Sequence, residues 1–227
     1  MKPARYLFVL LLIAIGLPCL AAGNQASVQD YDYVVNHYFW GDLYSQGGWS
    51  LYCGYKFNKD RKTGNGRVMD IGHIYPTGWL LKNVGCESRL RCYESGNQRF
   101  LRMEADLHNM YPVWYELVIL RDDLEFGEIE GEQWRFDDCD YEWQSNKVEP
   151  REIARGNIAR TIFYMHDTYD LPVASDMLGV LIKWNREDPP SQQEQYRNDR
   201  IEALQGRRNP YIDNPSLADR LTHNARP

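Results

Sequence analysis

The sequence predicts a single α+β domain, mainly helical, in which a short strand and helix are set within a larger helical body. Three observations carry this. A chain of 227 residues suits one domain of moderate size. Val68 to Ile74 alternates apolar positions with period two and is closed by Pro76, the pattern of a short strand. In the C-terminal third, Ala154, Ile158, Ile162, Met165 and Tyr169 recur at helical spacing and define a core-facing stripe.

Taken in order, the chain opens with a signal peptide pattern over residues 1–22. Lys2 and Arg5 form a positive start, Tyr6 to Leu17 an apolar run, and Cys19-Leu-Ala-Ala22 the small residues of a cleavage site. The run is short for a membrane span, so a soluble exported protein is expected, periplasmic or secreted, with no membrane association. A lipoprotein anchored at Cys19 is the alternative, disfavoured by Pro18 beside it. Residues 23–215 are read as one domain and 216–227 as a tail. Within the domain a helix is expected over Gln25 to Trp40, with a turn at Gly47-Gly48 and a short strand at Trp49 to Gly54. A charged loop, Asn58 to Gly66, leads into the strand that ends at His73. A loop from Gly78 to Gln98 precedes a helix expected from Arg99 to Asn109 and stopped by Pro112. Val113 to Ile119 is apolar, a strand or a buried extended segment, and the acidic run Asp137 to Glu142 reads as a solvated loop. Two further helices follow the apolar stripe, one about Val173 to Asn185. The other opens at the capping box Ser191-Gln-Gln-Glu194 and ends at Gly206. Arg208 to Pro215 is expected to pack back as an extended segment.

Without the signal, four cysteines remain, an even count that favours two disulfides in an exported chain. Cys86 and Cys92 enclose a short loop and are expected to pair, leaving Cys53 for Cys139. No Cys-x-x-Cys spacing supports zinc. The formal charge is −6, and loss of Lys2 and Arg5 would take it to −8, so the average field does not attract polyanions. Contact with nucleic acid would need a local arginine face.

Two stretches carry the candidate chemistry. The strand delivers His73 at its end, and the expected helix places Asp106 and Asn109 three residues apart on one face. A histidine that takes a proton from water, facing an oxygen that holds a hard cation, is a minimal kit for metal-assisted phosphodiester hydrolysis. The plainer alternatives are a hydrogen-bonded core histidine and a helix-capping asparagine.

Met103-Glu-Ala-Asp-Leu-His-Asn109, Phe126-Gly-Glu128, Cys139-Asp-Tyr-Glu142, Arg155-Gly-Asn-Ile-Ala-Arg160, Phe163-Tyr-Met165 and Gln205-Gly-Arg-Arg-Asn-Pro-Tyr-Ile-Asp213 together resemble the bacterial endonuclease I family. The resemblance runs in order from Cys53 to Asp213. It implies a ββα-metal (His-Me finger) nuclease core in a helical body, gripping one divalent cation, usually Mg²⁺, with Mn²⁺ or Ca²⁺ as substitutes. It further implies His73 as general base, Asn109 as metal ligand and Arg89 as a phosphate contact, with the Cys53–Cys139 and Cys86–Cys92 pairings. The implied activity is hydrolysis of DNA, and of RNA as a second substrate, by a monomer of little sequence preference that leaves 5′-phosphate ends. Arg155 and Arg160 are read first as partners of carboxylates such as Glu128 or Glu149, and second as DNA contacts.

One departure stands out. The family carries Glu immediately before the catalytic His, and here that position is Gly72. Two readings follow. In one, Asn109 and waters hold the ion, with Asp70 or Asp106 assisting through water. Asp70-Ile-Gly-His73 is then similar to the Asp-Arg-Gly-His element of the DNA/RNA non-specific nucleases. In the other, the protein is a catalytically inactive exported module that binds nucleic acid or a partner.

Overall fold

The computed structural model describes residues 28–131 and 133–223; the expected signal peptide lies outside them. Asp30 caps the first helix, its carboxylate accepting from Tyr33 N at 2.9 Å. The helix begins as one α-turn, α1 (Tyr31–Tyr33), and continues as a π-helical stretch over Val34–Leu43 that buries Val34, Phe39 and Trp40. β1 (Gly48–Trp49) and β2 (Lys56–Phe57) pair antiparallel. Gly47 before them sits at φ +90°, and a Cβ there would lie 2.2 Å from the Phe57 carbonyl oxygen, so only glycine fits this turn.

The central unit follows. β3 (Met69–His73) leads to α2 (Thr77–Val84), α3 (Arg89–Glu94) and α4 (Gln98–Glu104). A 3₁₀ turn (Leu107–Asn109) feeds β4 (Met110–Trp114), which runs directly into α5 (Tyr115–Arg121). β3 and β4 form a two-stranded antiparallel sheet in which His73 faces Met110 and Met69 faces Trp114. Beyond it, β5 (Glu125–Phe126), β6 (Tyr141–Gln144) and β7 (Lys147–Pro150) make a three-stranded sheet in the order β5-β7-β6. The C-terminal body consists of α6 (Glu152–Tyr169), α7 (Ser175–Glu187), α8 (Gln192–Gln205), α9 (Pro210–Asp213) and a 3₁₀ stretch (Pro215–His223). The α+β, mainly helical class is as expected.

Ala154, Ile158, Ile162 and Met165 are fully buried along α6, so the predicted stripe is the core face. Ser191 caps α8, accepting from Glu194 N at 3.1 Å, but the Glu194 side chain turns inward to Arg160 instead of completing the capping box. Both expected disulfides form: Cys53–Cys139 and Cys86–Cys92.

Several local expectations change. The loop expected from Gly78 to Gln98 holds α2 and α3, the segment Arg208 to Pro215 contains α9 instead of running extended, and the strand expected over Trp49 to Gly54 is a strand only at Trp49. The helix expected to run from Arg99 to Asn109 stops at Glu104, because Asp106 starts a new turn by accepting from His108 N at 2.9 Å. The apolar run Val113 to Ile119 is half strand and half helix, split where β4 becomes α5. The acidic run Asp137 to Glu142 ends in a strand with Tyr141 and Glu142 buried. Residues beyond 215, expected as a tail, bring Ala218 and Leu221 into the core.

Candidate active site

His73 closes β3, half-buried at the mouth of a cleft of about 160 Å³ lined by Gly72, His73, Pro76, Val118, Arg121 and Asp122 among others. Its Nε2 lies 2.9 Å from the main-chain oxygen of Glu104 at the end of α4. A carbonyl only accepts, so Nε2 carries the proton and Nδ1 is left with a free lone pair. Burial lowers the pKa of the ring, and the Glu104 carbonyl partly offsets this. The imidazole is therefore neutral at neutral pH, the form a general base requires.

Glu104 has a second task. Its carboxylate is fully buried and accepts from Arg89 Nε and, at 2.5 Å, from the Tyr93 hydroxyl. The guanidinium of Arg89 also lies 4.5 Å over the Tyr31 ring, and that ring stacks on His73 with centroids 5.8 Å apart. The Arg89 side chain stays half exposed, with donors left for an anion. Sequence reasoning named His73 and Arg89; the structure brings them together through Glu104 and Tyr31.

The other predicted site residues are placed differently. Asn109 is completely buried, and its amide forms a two-way bridge to the backbone of Tyr75: Oδ1 accepts from Tyr75 N at 2.7 Å, and Nδ2 donates to Tyr75 O at 2.9 Å. The side chain thus continues the β3–β4 ladder one rung past its end. It precedes β4, whereas the helix behind the cleft is α5. Asp106 is also fully buried and accepts four bonds, from His108 N, Gln205 Nε2, Tyr164 Oη and Tyr169 Oη. It locks the 3₁₀ turn to α6 and α8. Asp70 is exposed, accepts from Ile71 N at 2.8 Å, and falls on the face of β3 opposite His73.

These residues do not fit a divalent ion. Gly72 has no side chain, and a Cβ there would lie 2.6 Å from Val113 Cγ2, in packed hydrocarbon. Among the described residues no three His, Cys, Asp or Glu side chains are grouped to hold a metal. Asp123 at the cleft edge is committed to α2: its carboxylate accepts from Gly78 N, its carbonyl from Trp79 Nε1, and only glycine at 78 leaves it room.

What α5 contributes to the cleft wall is Val118 and Arg121. Arg121 is buried, donating to Ile74 O at 3.2 Å and to Asp122 O at 2.6 Å, with its guanidinium 4.4 Å over Phe126. It forms no ion pair with a carboxylate among the described residues, and its Nε has no partner. Arg121 thus sets a guanidinium in a cleft wall that Asp122 and Asp123 also line. Sequence reasoning passed over Arg121, and its one signal was a lone arginine at the end of an apolar run, which normally marks a helix C-terminus.

Arg155 and Arg160 are structural. Arg155 pairs with Glu149 at 2.9 Å and donates to Pro150 O. Arg160 is fully buried and bonds both oxygens of Glu194.

A neutral imidazole held by a carbonyl, beside an arginine with free donors, is an arrangement suited to acid–base chemistry on an anionic substrate. Residues 20–216 match the family described as Endonuclease I, and the chain belongs to the endonuclease I family, a family of endonucleases. It is 29% identical over 171 residues to an extracellular deoxyribonuclease of Aeromonas hydrophila, covering 71% of this chain and 72% of the relative. A periplasmic deoxyribonuclease of the same species is 30% identical over 135 residues, 55% of this chain and 57% of that protein. An extracellular ribonuclease of Bacillus amyloliquefaciens is 31% identical over 135 residues, 52% and 46% of the two chains. These extracellular and periplasmic relatives and the two disulfides mark an exported protein. No helix among the described residues is long and apolar enough to cross a membrane.

Proposed function

We propose that the protein is an exported endonuclease that hydrolyses phosphodiester bonds of DNA, and of RNA as a second substrate, with β3, β4 and α5 as its ββα module. The observation that carries this is the His73 Nε2 to Glu104 carbonyl bond, which leaves Nδ1 as the free base. Nδ1 takes a proton as water attacks phosphorus. The bond from phosphorus to the 3′ oxygen breaks, the 3′ oxygen takes a proton from solvent, and the phosphate stays on the 5′ side. Arg89 donates to a non-bridging oxygen, and the charge of Arg121 opposes the negative charge that grows on the phosphate. The cleft's side chains do not supply a ligand set for a divalent ion, and His73, Arg89 and Arg121 carry these steps. Contacts made to phosphate through arginine carry little base information, so sequence preference is weak.

Plasmid nicking tests the reading. The wild-type protein is expected to nick supercoiled DNA and His73→Ala to lose nicking while keeping the wild-type melting temperature. Equal nicking by the two proteins would remove His73 from the chemistry, and no nicking by either would end the hydrolase reading.

A further inference from the structure

Among the described residues three arginines are buried: Arg121, Arg160 and Arg197. Arg160 has a carboxylate partner in Glu194, whereas the other two form no ion pair among the described residues. A buried cation without a counter-ion is costly, which makes the surroundings of each worth inspection. Arg121 lies at the cleft already described. Arg197 lies at a different and larger cavity, of about 560 Å³, between the π-helical stretch, β1 and the start of α8.

Arg197 donates through Nη2 to Leu107 O and Met110 O at 2.6 and 2.5 Å, and through Nε to the Tyr44 hydroxyl, with Nη1 unpartnered. It is held flat, 4.1 Å over the Tyr111 ring, at one wall of the cavity. The rim carries a second unusual feature. Trp49, Tyr196 and Ile153 all line this cavity, with exposures of 54%, 67% and 65%, although each is large and apolar. Isolated exposed apolar residues are ordinary, but three around one concave opening mark a recognition surface. One face of Trp49 is covered by the Lys56 ammonium, 5.9 Å from the ring centroid.

The remaining lining charges are mostly cancelled: Arg200 bonds both oxygens of Asp42 and Glu194 is held by Arg160, while Arg151 donates to backbone carbonyls and Asp188 accepts from Gly156 N. What remains is the Arg197 guanidinium on the wall, in no ion pair though within the field of Glu194, aromatic faces at the mouth, and the neutral amides of Asn157 and Gln193. Stacking faces, a cation and amide donors and acceptors are the parts that recognise a planar base bearing a phosphate.

We propose that this cavity is a second binding site, for a single nucleotide unit, with the base stacked at the Trp49–Tyr196 rim and the phosphate directed to the Arg197 and Arg200 side. The nucleotide is either free or one residue of a strand. Its choice among planar aromatic anions rests on the nucleic-acid reading of the His73 cleft; the chemistry of the cavity does not.

The test uses the His73→Ala protein, so that nothing is consumed, and calorimetric titration with deoxyadenosine 5′-monophosphate, deoxyadenosine, inorganic phosphate and a hexamer of deoxyadenylate. Trp49→Ala and Tyr196→Ala remove exposed side chains and leave the core intact. The monophosphate is expected to bind more tightly than deoxyadenosine or phosphate, and either truncation is expected to weaken it by about tenfold. A hexamer that binds more tightly than the monophosphate and loses that advantage in the Trp49→Ala and Tyr196→Ala proteins identifies the source as a strand, and equal affinities identify a free mononucleotide. No binding of either nucleotide probe, binding unmoved by both truncations, or phosphate binding as tightly as the monophosphate would overturn the proposal. A wild-type protein that never nicks DNA, while the monophosphate still binds here, would sink the hydrolase reading and leave this site standing.

Discussion

The side chain of His73 and the main chain of Glu104 are joined by a 2.9 Å hydrogen bond, and the carboxylate of the same glutamate anchors Arg89. One residue thus sets the tautomer of the His73 ring and the position of the Arg89 guanidinium, the proposed base and phosphate contact. The first link uses a backbone oxygen and survives any change of side chain. The second does not. Base and arginine can therefore be perturbed separately.

The pH dependence of cleavage reports the first link. Burial lowers the His73 pKa from its ordinary value near 6.5, so the ring stays neutral, and able to accept a proton, into mildly acidic solution. The acidic limb of kcat/KM for DNA nicking is expected below pH 6.5. A limb above that value would assign the titrating base to another group.

Asn109 separates a structural amide from a metal ligand. Asn109→Ala leaves the buried N–H and C=O of Tyr75 without partners, and a loss of about 1–3 kcal/mol in urea unfolding is expected. Affinity for Mn²⁺, followed by its paramagnetic resonance signal, is expected to be the same in both proteins. A variant of native stability that lost a bound Mn²⁺ would restore Asn109 as a ligand.

Gly72 makes a steric prediction. Gly72→Ala puts a methyl against Val113 Cγ2, in a region where neither residue is exposed to solvent, and is expected to cost about 1–3 kcal/mol. Val113→Ala in the same chain should recover part of that loss. Additive costs in the double variant would show that the two side chains do not compete for space.

His108 governs stability in acid. It is buried, its Nε2 donates to Arg207 O, and Nδ1 has no partner to accept from it if protonated; burial holds its pKa down to about 4. Between an unfolded value near 6.5 and that native value, the unfolded chain binds a proton that the native chain refuses. Stability therefore falls as pH drops through this window, by on the order of 3 kcal/mol, and this contribution is constant above about 6.5. Chemical unfolding at pH 7 and pH 4.5 should show a smaller drop for His108→Gln than for the wild type. Identical drops would mean that carboxylates alone set the acid limit.

How much of this was legible beforehand differs from residue to residue. His73 could be placed because period-two alternation ends there and Pro76 closes the run, both local facts. The α6 stripe and the two disulfides were legible for similar reasons, helical spacing in one case and an even cysteine count with a short loop in the other. The α4 boundary was misplaced because Asp106 offers its own backbone neighbourhood a competing hydrogen bond, which periodicity cannot register. Arg121 went unnoticed because its place in the cleft wall comes from its bonds to Ile74 O and Asp122 O and from the Phe126 ring beneath it, which are properties of space.

By itself, then, the sequence determined the mainly helical α+β class, a histidine at a strand end, and membership of the endonuclease I family through ordered motifs. Those properties are written in neighbouring residues and in spacings along the chain. Only the tertiary structure decided which polar side chains are available for chemistry. Asn109 and Asp106 are engaged by Tyr75, Tyr164, Tyr169 and Gln205, while Arg121 and Arg197 stand beside cavities, each with one nitrogen unpartnered. A hydrogen bond to a group dozens of residues away removes a donor or acceptor from solvent, and chain folding alone decides which groups meet.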